Sequence, residues 1–114
     1  MIIFLTNMEL TQKKCKPCEG GEPPLNLEES NKLFEQIPSW ELKDNQVYKK
    51  FKFKNFKEAM EFVNKVADIA EQEGHHPDIS IHWNIVEIEL WTHAIKGLSE
   101  NDFILAAKID KLSS

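Results

Sequence analysis

The sequence predicts an α+β two-layer sandwich, a four-stranded antiparallel sheet with three helices on one face, in the order α-β-β-α-β-β-α. Three observations predict it. Two stretches alternate apolar and polar residues on either side of a short polar break, the pattern of a β-hairpin. Three others repeat apolar residues at helical spacing behind a capping residue. Strands that arrive as adjacent hairpins pair antiparallel, and three amphipathic helices comfortably cover only one face of such a sheet. The 114 residues allow one domain, large enough to bury roughly 65% of the surface of its unfolded chain without a metal or disulfide.

Residues 1–24 read as an N-terminal tail or loop, and the folded domain is expected to span residues 25–114. The stretch from Glu9 to Pro24 is polar and irregular, with Lys13-Lys14, two cysteines, Gly20-Gly21 and Pro23-Pro24. Met8 precedes a conventional polar start, which makes residues 1–7 an upstream-start artefact or an extension.

Asn26 and Glu29 have the spacing of a capping box, and Leu27, Ser30, Leu33, Phe34 and Ile37 follow at helical intervals until Pro38 stops them. Asp44-Asn45 tolerates a left-handed backbone and joins Trp40-Lys43 to the strand starting at Gln46. In that strand Phe51 and Phe53 alternate with Lys50, Lys52 and Lys54, which puts rings on the core face and lysines on the other. Asn55 and Glu58 cap a second helix from about Phe56 to about Glu73. Its apolar face is Phe56, Ala59, Met60, Val63, Val66, Ala67 and Ala70, and Gly74 ends it.

Ile79 to His82 and Val86 to Leu90 form the second hairpin around Trp83-Asn84, with Glu87, Glu89 and Trp91 on the open sheet face. Ser99 and Asp102 open the last helix, carried by Phe103, Ile104, Ala106, Ala107 and Ile109.

The formal net charge of −5 argues against broad binding to nucleic acids or anionic membranes. The run Ile2-Ile3-Phe4-Leu5 is far short of the roughly 20 residues of a membrane span. The same segment lacks the basic region and cleavage site of a secretory signal, so a cytoplasmic location is expected.

All four histidines fall between positions 75 and 93. Imidazole, with an ordinary pKa of about 6.5, gives or takes protons near neutrality. His75 and His76 follow a helix C-terminus, whose dipole favours a protonated ring, and Pro77 fixes how the pair leaves the helix. The alternative is a pair of polar loop residues. Cys15-Lys16-Pro17-Cys18 has the spacer of a zinc knuckle but lacks the second pair of ligands that a knuckle needs. Glu71 reads equally as a solvent-facing residue, and Asp102 as an anion at a helix N-terminus. Trp40 and Trp91 either wall a planar ligand or pack in the core.

Glu71, three residues, His75-His76-Pro77, five residues, Trp83, nine residues, His93, eight residues and Asp102 place seven fixed positions within 32 residues. This pattern resembles the signature of the pterin-4a-carbinolamine dehydratases. The flanks agree, with Phe51-Lys52-Phe53-Lys54-Asn55-Phe56, Thr92-His93 and Gly97-Leu98-Ser99-Glu100. The stretch from Lys14 to Gly21 resembles bacterial members.

The resemblance implies the same fold and a hydro-lyase, a 4a-hydroxytetrahydrobiopterin dehydratase. Its members convert 4a-hydroxytetrahydropterin to quinonoid dihydropterin and recycle tetrahydrobiopterin-type cofactors. It implies His75, His76 and His93 around the pterin, with His76 and His93 as acid/base partners and His75 orienting or sharing the proton traffic. Gly74, Pro77, Trp91, Thr92, Ala94 and Trp40 would contact the substrate, supported by Glu71 and Asp102. No metal or other cofactor is implied, and no nucleic-acid or membrane partner; the chain would form a homodimer or homotetramer. Many relatives carry Ser where Trp91 stands, Glu where Ala94 stands and Asp where Gly74 stands. The same scaffold also serves animal relatives as a dimerisation cofactor, so an interaction module is the alternative function, and a small metal-binding protein a more distant one.

Overall fold

The computed structural model describes residues 9–17 and 22–112. Asn26 caps α1 (Leu27–Phe34) through the full reciprocal box: its side chain accepts from the Glu29 amide at 2.7 Å, and its own amide donates to the Glu29 carboxylate at 2.9 Å. β1 (Glu41–Lys43) and β2 (Gln46–Lys52) flank Asp44 and Asn45. Both of these residues have positive φ (52° and 63°), the backbone that lets a two-residue turn follow the twist of its strands.

α2 (Phe56–Glu73) begins with Asn55 accepting from the Glu58 amide at 2.9 Å and ends at Gly74. β3 (Asp78–His82) and β4 (Ile85–Leu90) follow, and α3 (Glu100–Leu112) closes the chain. The strands lie in the order β1-β2-β4-β3, each pair antiparallel. The three helices and four strands form the expected α+β arrangement in the expected order.

Register fixes the two faces. Val47 lies opposite Leu90 and Phe51 opposite Val86, and these four join Ile88, Phe62, Val66 and Phe103 in one buried cluster with α2 and α3. The other face carries Tyr48, Lys50 and Lys52 beside Glu89, Glu87 and Ile85. α3 is the central helix: residues 101–107 are all buried, Phe103 meets the edge of Phe34 at 4.9 Å, and α2 packs on its other side. A helix enclosed on all sides reads as continuously apolar rather than striped.

Three expectations change. The buried face of α2 is Ala59, Phe62, Val66 and Ala70, while Phe56 is 49% exposed and Ala67 faces solvent. The helix is therefore rotated toward Phe62, which stacks between Phe51 and Phe53 at 4.7 and 5.0 Å. α1 stops at Phe34, and Leu27 lies at its exposed end while Ile37 is buried in the following turn. Residues 9–17, read from sequence as tail or loop, are packed: Leu10 and Cys15 belong to the core. Lys13 pairs with Glu100 at 2.5 Å, and the Cys15 amide donates to the Glu73 carboxylate at 2.9 Å. Residues 1–7 and Cys18 lie outside the described residues.

Candidate active site

The C-terminus of α2 sets the first wall. Gly74 adopts a left-handed backbone (φ 67°), and its amide and that of His75 both turn back to the Ala70 carbonyl. Only a residue with little steric cost at positive φ makes this turn easily, and glycine has the least. The chain then leaves the helix with His75 turned inward, its side chain 12% exposed, and His76 outward at 61%.

His75 Nε2 lies 2.6 Å from Asp102 Oδ1, a carboxylate with no exposure. The other oxygen, Oδ2, accepts from the Thr92 hydroxyl at 3.0 Å and the Ser99 amide at 2.9 Å. An ionised carboxylate only accepts, so this ring nitrogen is the donor and His75 carries its proton on Nε2. Burial of the acceptor strengthens such a bond and fixes ring and tautomer together. His76 Nε2 contacts Glu71 at 2.7 Å on the exposed rim.

The second wall comes from the loop between β4 and α3. Backbone hydrogen bonds between Thr92 and Gly97, at 2.9 and 3.3 Å, pinch this loop around a single 3-10 turn, His93–Ile95. Gly97 is required there, because a Cβ would meet Pro24 Cβ at 2.6 Å. The pinch presents His93 and Ala94 to the space opposite His75. The Trp91 and His93 rings sit 4.4 Å apart, tilted by 57°.

Between the walls lies a cleft of about 240 Å³ lined by Gly74, His75, His76, Trp91, Thr92, His93, Ala94, Lys16 and Asn101. Three imidazoles and an indole around a space this size suit a flat, polar heterocycle that must exchange protons.

A model of the family described as pterin 4 alpha carbinolamine dehydratase matches residues 23–112. The chain belongs to this family. Among similar proteins, a provisionally named pterin-4-alpha-carbinolamine dehydratase of Methylococcus capsulatus is 52% identical, over 92% of this chain and 94% of its own. Another, from Rickettsia canadensis, is 53% identical over 89% of this chain and 94% of its own. The crystal structure of a transcriptional coactivator/pterin dehydratase from Brucella melitensis superposes with a TM-score of 0.76 at 30% identity, covering 80% of this chain and 99% of that one. A pterin dehydratase-like protein, identified as a RuBisCO assembly factor in the alpha-carboxysome, gives 0.55 at 25% identity, covering 66% and 87%.

Seven of the residues singled out in sequence thus line one cleft in this pterin dehydratase family member, and Asp102 and Glu71 stand directly behind two of its histidines. Two do not line it. Trp40, expected beside the pocket, is buried in the core edge-on to Phe51 at 5.9 Å, because the strand it precedes lies at the far edge of the sheet. Pro77 directs the backbone from His76 into β3 and is likewise absent from the lining. Trp91, expected on the open sheet face, lines the cleft instead, because β4 ends at Leu90 and the alternation ends with it.

Lys16 and Asn101 line the cleft without having been singled out. The sequence holds a signal for Lys16 only in the Cys-Lys-Pro-Cys run, which draws attention to its cysteines. Among the described residues no group of three His, Cys, Asp or Glu side chains is placed to hold a metal ion, and Cys18 lies outside those residues. Burial, followed by the Glu73 carboxylate, pushes the Cys15 thiol up to about 12. A thiol held protonated is neither nucleophile nor ready ligand. No helix among the described residues is long and apolar enough to cross a membrane.

Proposed function

We propose that this protein is a 4a-hydroxytetrahydropterin dehydratase, acting in the cytoplasm as a homodimer or homotetramer. The observation that carries the reading is the convergence of His75, His76 and His93 on one cleft, with His75 bound to a fully buried carboxylate.

The reaction asks for two proton transfers. The bond from C4a to the hydroxyl oxygen breaks, an acid supplies a proton so that water departs, and a base takes the proton from N5 as the C=N bond forms. Elimination of water changes no oxidation state, so the reading requires no redox partner and no metal. General acid and base catalysis of such steps contributes about 10² to 10⁴ in rate.

His76 and His93 are assigned as the acid/base pair: the Nε2 of His75 is held by a fully buried carboxylate, Asp102, whereas the Glu71 contact of His76 lies on the exposed rim. His75 is assigned an orienting role, with its Nδ1 as an acceptor toward the pterin. The loop backbone of Trp91, Thr92, His93 and Ala94 would meet the polar edge of the ring, and Trp91 its face.

The test follows the absorbance of freshly generated 4a-hydroxytetrahydropterin, against the uncatalysed reaction, for the wild type and for His75→Ala, His76→Ala and His93→Ala. Acceleration by the wild type, lost in the His76 and His93 variants with folding intact, is the expected result. Wild-type protein no faster than buffer overturns it. That outcome would favour a binding role for the scaffold, of the kind identified for the RuBisCO assembly factor of the alpha-carboxysome.

A further inference from the structure

The residues lining the cleft include no carboxylate, although the chain carries 19 acidic against 14 basic residues. They include one permanent cation, Lys16. Its backbone is held at both ends by one side chain: the Lys16 amide donates to Asn101 Oδ1 at 2.9 Å, and Asn101 Nδ2 donates to the Lys16 carbonyl at 2.6 Å. The neighbouring Cys15 amide is tied to Glu73 at 2.9 Å. A segment fixed this way onto the first turn of α3 and the last turn of α2 holds Lys16 on the lining of the cleft.

The other two lysines of the segment are engaged, Lys13 with Glu100 and Lys14 with the Gln72 carbonyl. The nearby carboxylates are committed as well: Glu73 to Lys108, Asp102 to His75 and Glu71 to His76. Lys16 has no charged partner among the described residues.

We infer that Lys16 selects ligands whose ring substituent is anionic, a carboxylate or a phosphate at the edge of the heterocycle, over those with a neutral substituent. This rests on the pterin reading above and narrows its substrate class. With no acidic residue on the lining, a negative substituent meets Lys16 as the one permanent charge there, while the Asp102 and Glu71 carboxylates stand one residue further back, behind His75 and His76. A neutral polyol side chain gains little from the same wall.

Binding of pterin-6-carboxylate and of 6-hydroxymethylpterin is measured by quenching of ligand fluorescence at pH 8, where an ordinary imidazole is largely neutral. At low ionic strength the wild type should bind the carboxylate about fivefold or more tightly than the neutral analogue. Lys16→Ala should bring the ratio of the two dissociation constants close to one, Lys16→Glu should invert it, and Lys16→Arg should preserve it. In the wild type the ratio should shrink at 0.5 M salt. Lys16 is exposed, so the variants are expected to fold, and circular dichroism confirms it. Equal wild-type affinities, or a ratio unmoved by Lys16→Ala, overturn this inference while leaving the pterin reading standing. Failure of both analogues to bind overturns the pterin reading and this inference with it.

Discussion

Asp102 Oδ1 accepts from His75 Nε2 at 2.6 Å while its Oδ2 accepts from both Thr92 and Ser99, so a carboxylate with no exposure joins the two walls of the cleft. One anion therefore does two things: it fixes the tautomer of His75, and it ties the α2 exit to the start of α3. Substitutions at this position separate the two roles by shape and charge.

In Asp102→Asn the new amide oxygen can keep the Thr92 and Ser99 donors, which leaves its NH₂ facing His75. That group only donates, so the ring must accept through Nε2 and carry its proton on Nδ1. Nitrogen-15 NMR of the imidazole should report Nε2–H in the wild type and Nδ1–H in the variant. Dehydration should fall about 100-fold or more at a small cost in melting temperature. Asp102→Ala strands three donors and should cost about 3 kcal/mol, read from denaturant unfolding.

The turn that delivers His75 is tested at Gly74. Nothing lies within 4 Å of a Cβ built there, so only the backbone strain at φ 67° opposes a side chain. Gly74→Ala should cost about 1 kcal/mol, and Gly74→Asn, which tolerates the left-handed region, distinctly less. The measurement is the urea midpoint at constant m-value. Equal losses in the two variants would point to a steric cost that the open surroundings do not predict.

What the sequence disclosed and what it concealed divide along local and long-range physics. The Asn26 box, the Asp44-Asn45 turn and the Gly74 stop are decided within a few residues, and each lies where its spacing puts it. The rotation of α2 toward Phe62 is decided by rings on β2, and a broad apolar stripe that includes Phe56 does not reveal which edge wins. The histidine spacing announced a cleft, but not that Lys16 would reach it. That depends on an Asn101 amide which in sequence is one polar residue in a helix start. For Trp40 the sequence left packing in the core and walling a ligand open, and strand order, which puts β1 at a sheet edge, decides for the core.

Glu73 gives the fold a pH dependence at the junction of three segments. Burial alone would raise its carboxyl. The Cys15 amide, the Lys108 ammonium at 2.7 Å and the charge of Lys14 outweigh burial and hold it below its usual 4.5. A group whose pKa is depressed by folding binds fewer protons in the native state, so its stabilisation is present above the unfolded value and is lost as pH falls through the folded one. Glu73→Gln should cost about 2 kcal/mol at pH 7. The difference from wild type should narrow steadily below pH 4.5, measured by urea unfolding across pH 3 to 7. A difference independent of pH would mean that the loss comes from packing and not from charge.

Cys15 obeys the opposite sign. Burial and then the Glu73 carboxylate push its thiol up to about 12, so folding favours the protonated form. That contribution is complete below the unfolded value and declines as pH rises toward 12. At pH 8 the native thiolate population should be roughly a thousandfold below that of the unfolded chain. Alkylation by iodoacetamide, resolved by peptide mass to separate Cys15 from Cys18, should accordingly be slow in the native protein and fast in denaturant. In Glu73→Gln the negative charge beside the thiol disappears and the Cys15 amide loses its anionic acceptor, so alkylation should accelerate in the folded state. Rapid labelling of Cys15 in the native wild type would show that residues 14–17 leave the cleft wall on the timescale of the reagent. Lys16 would then be carried away from the cleft with them.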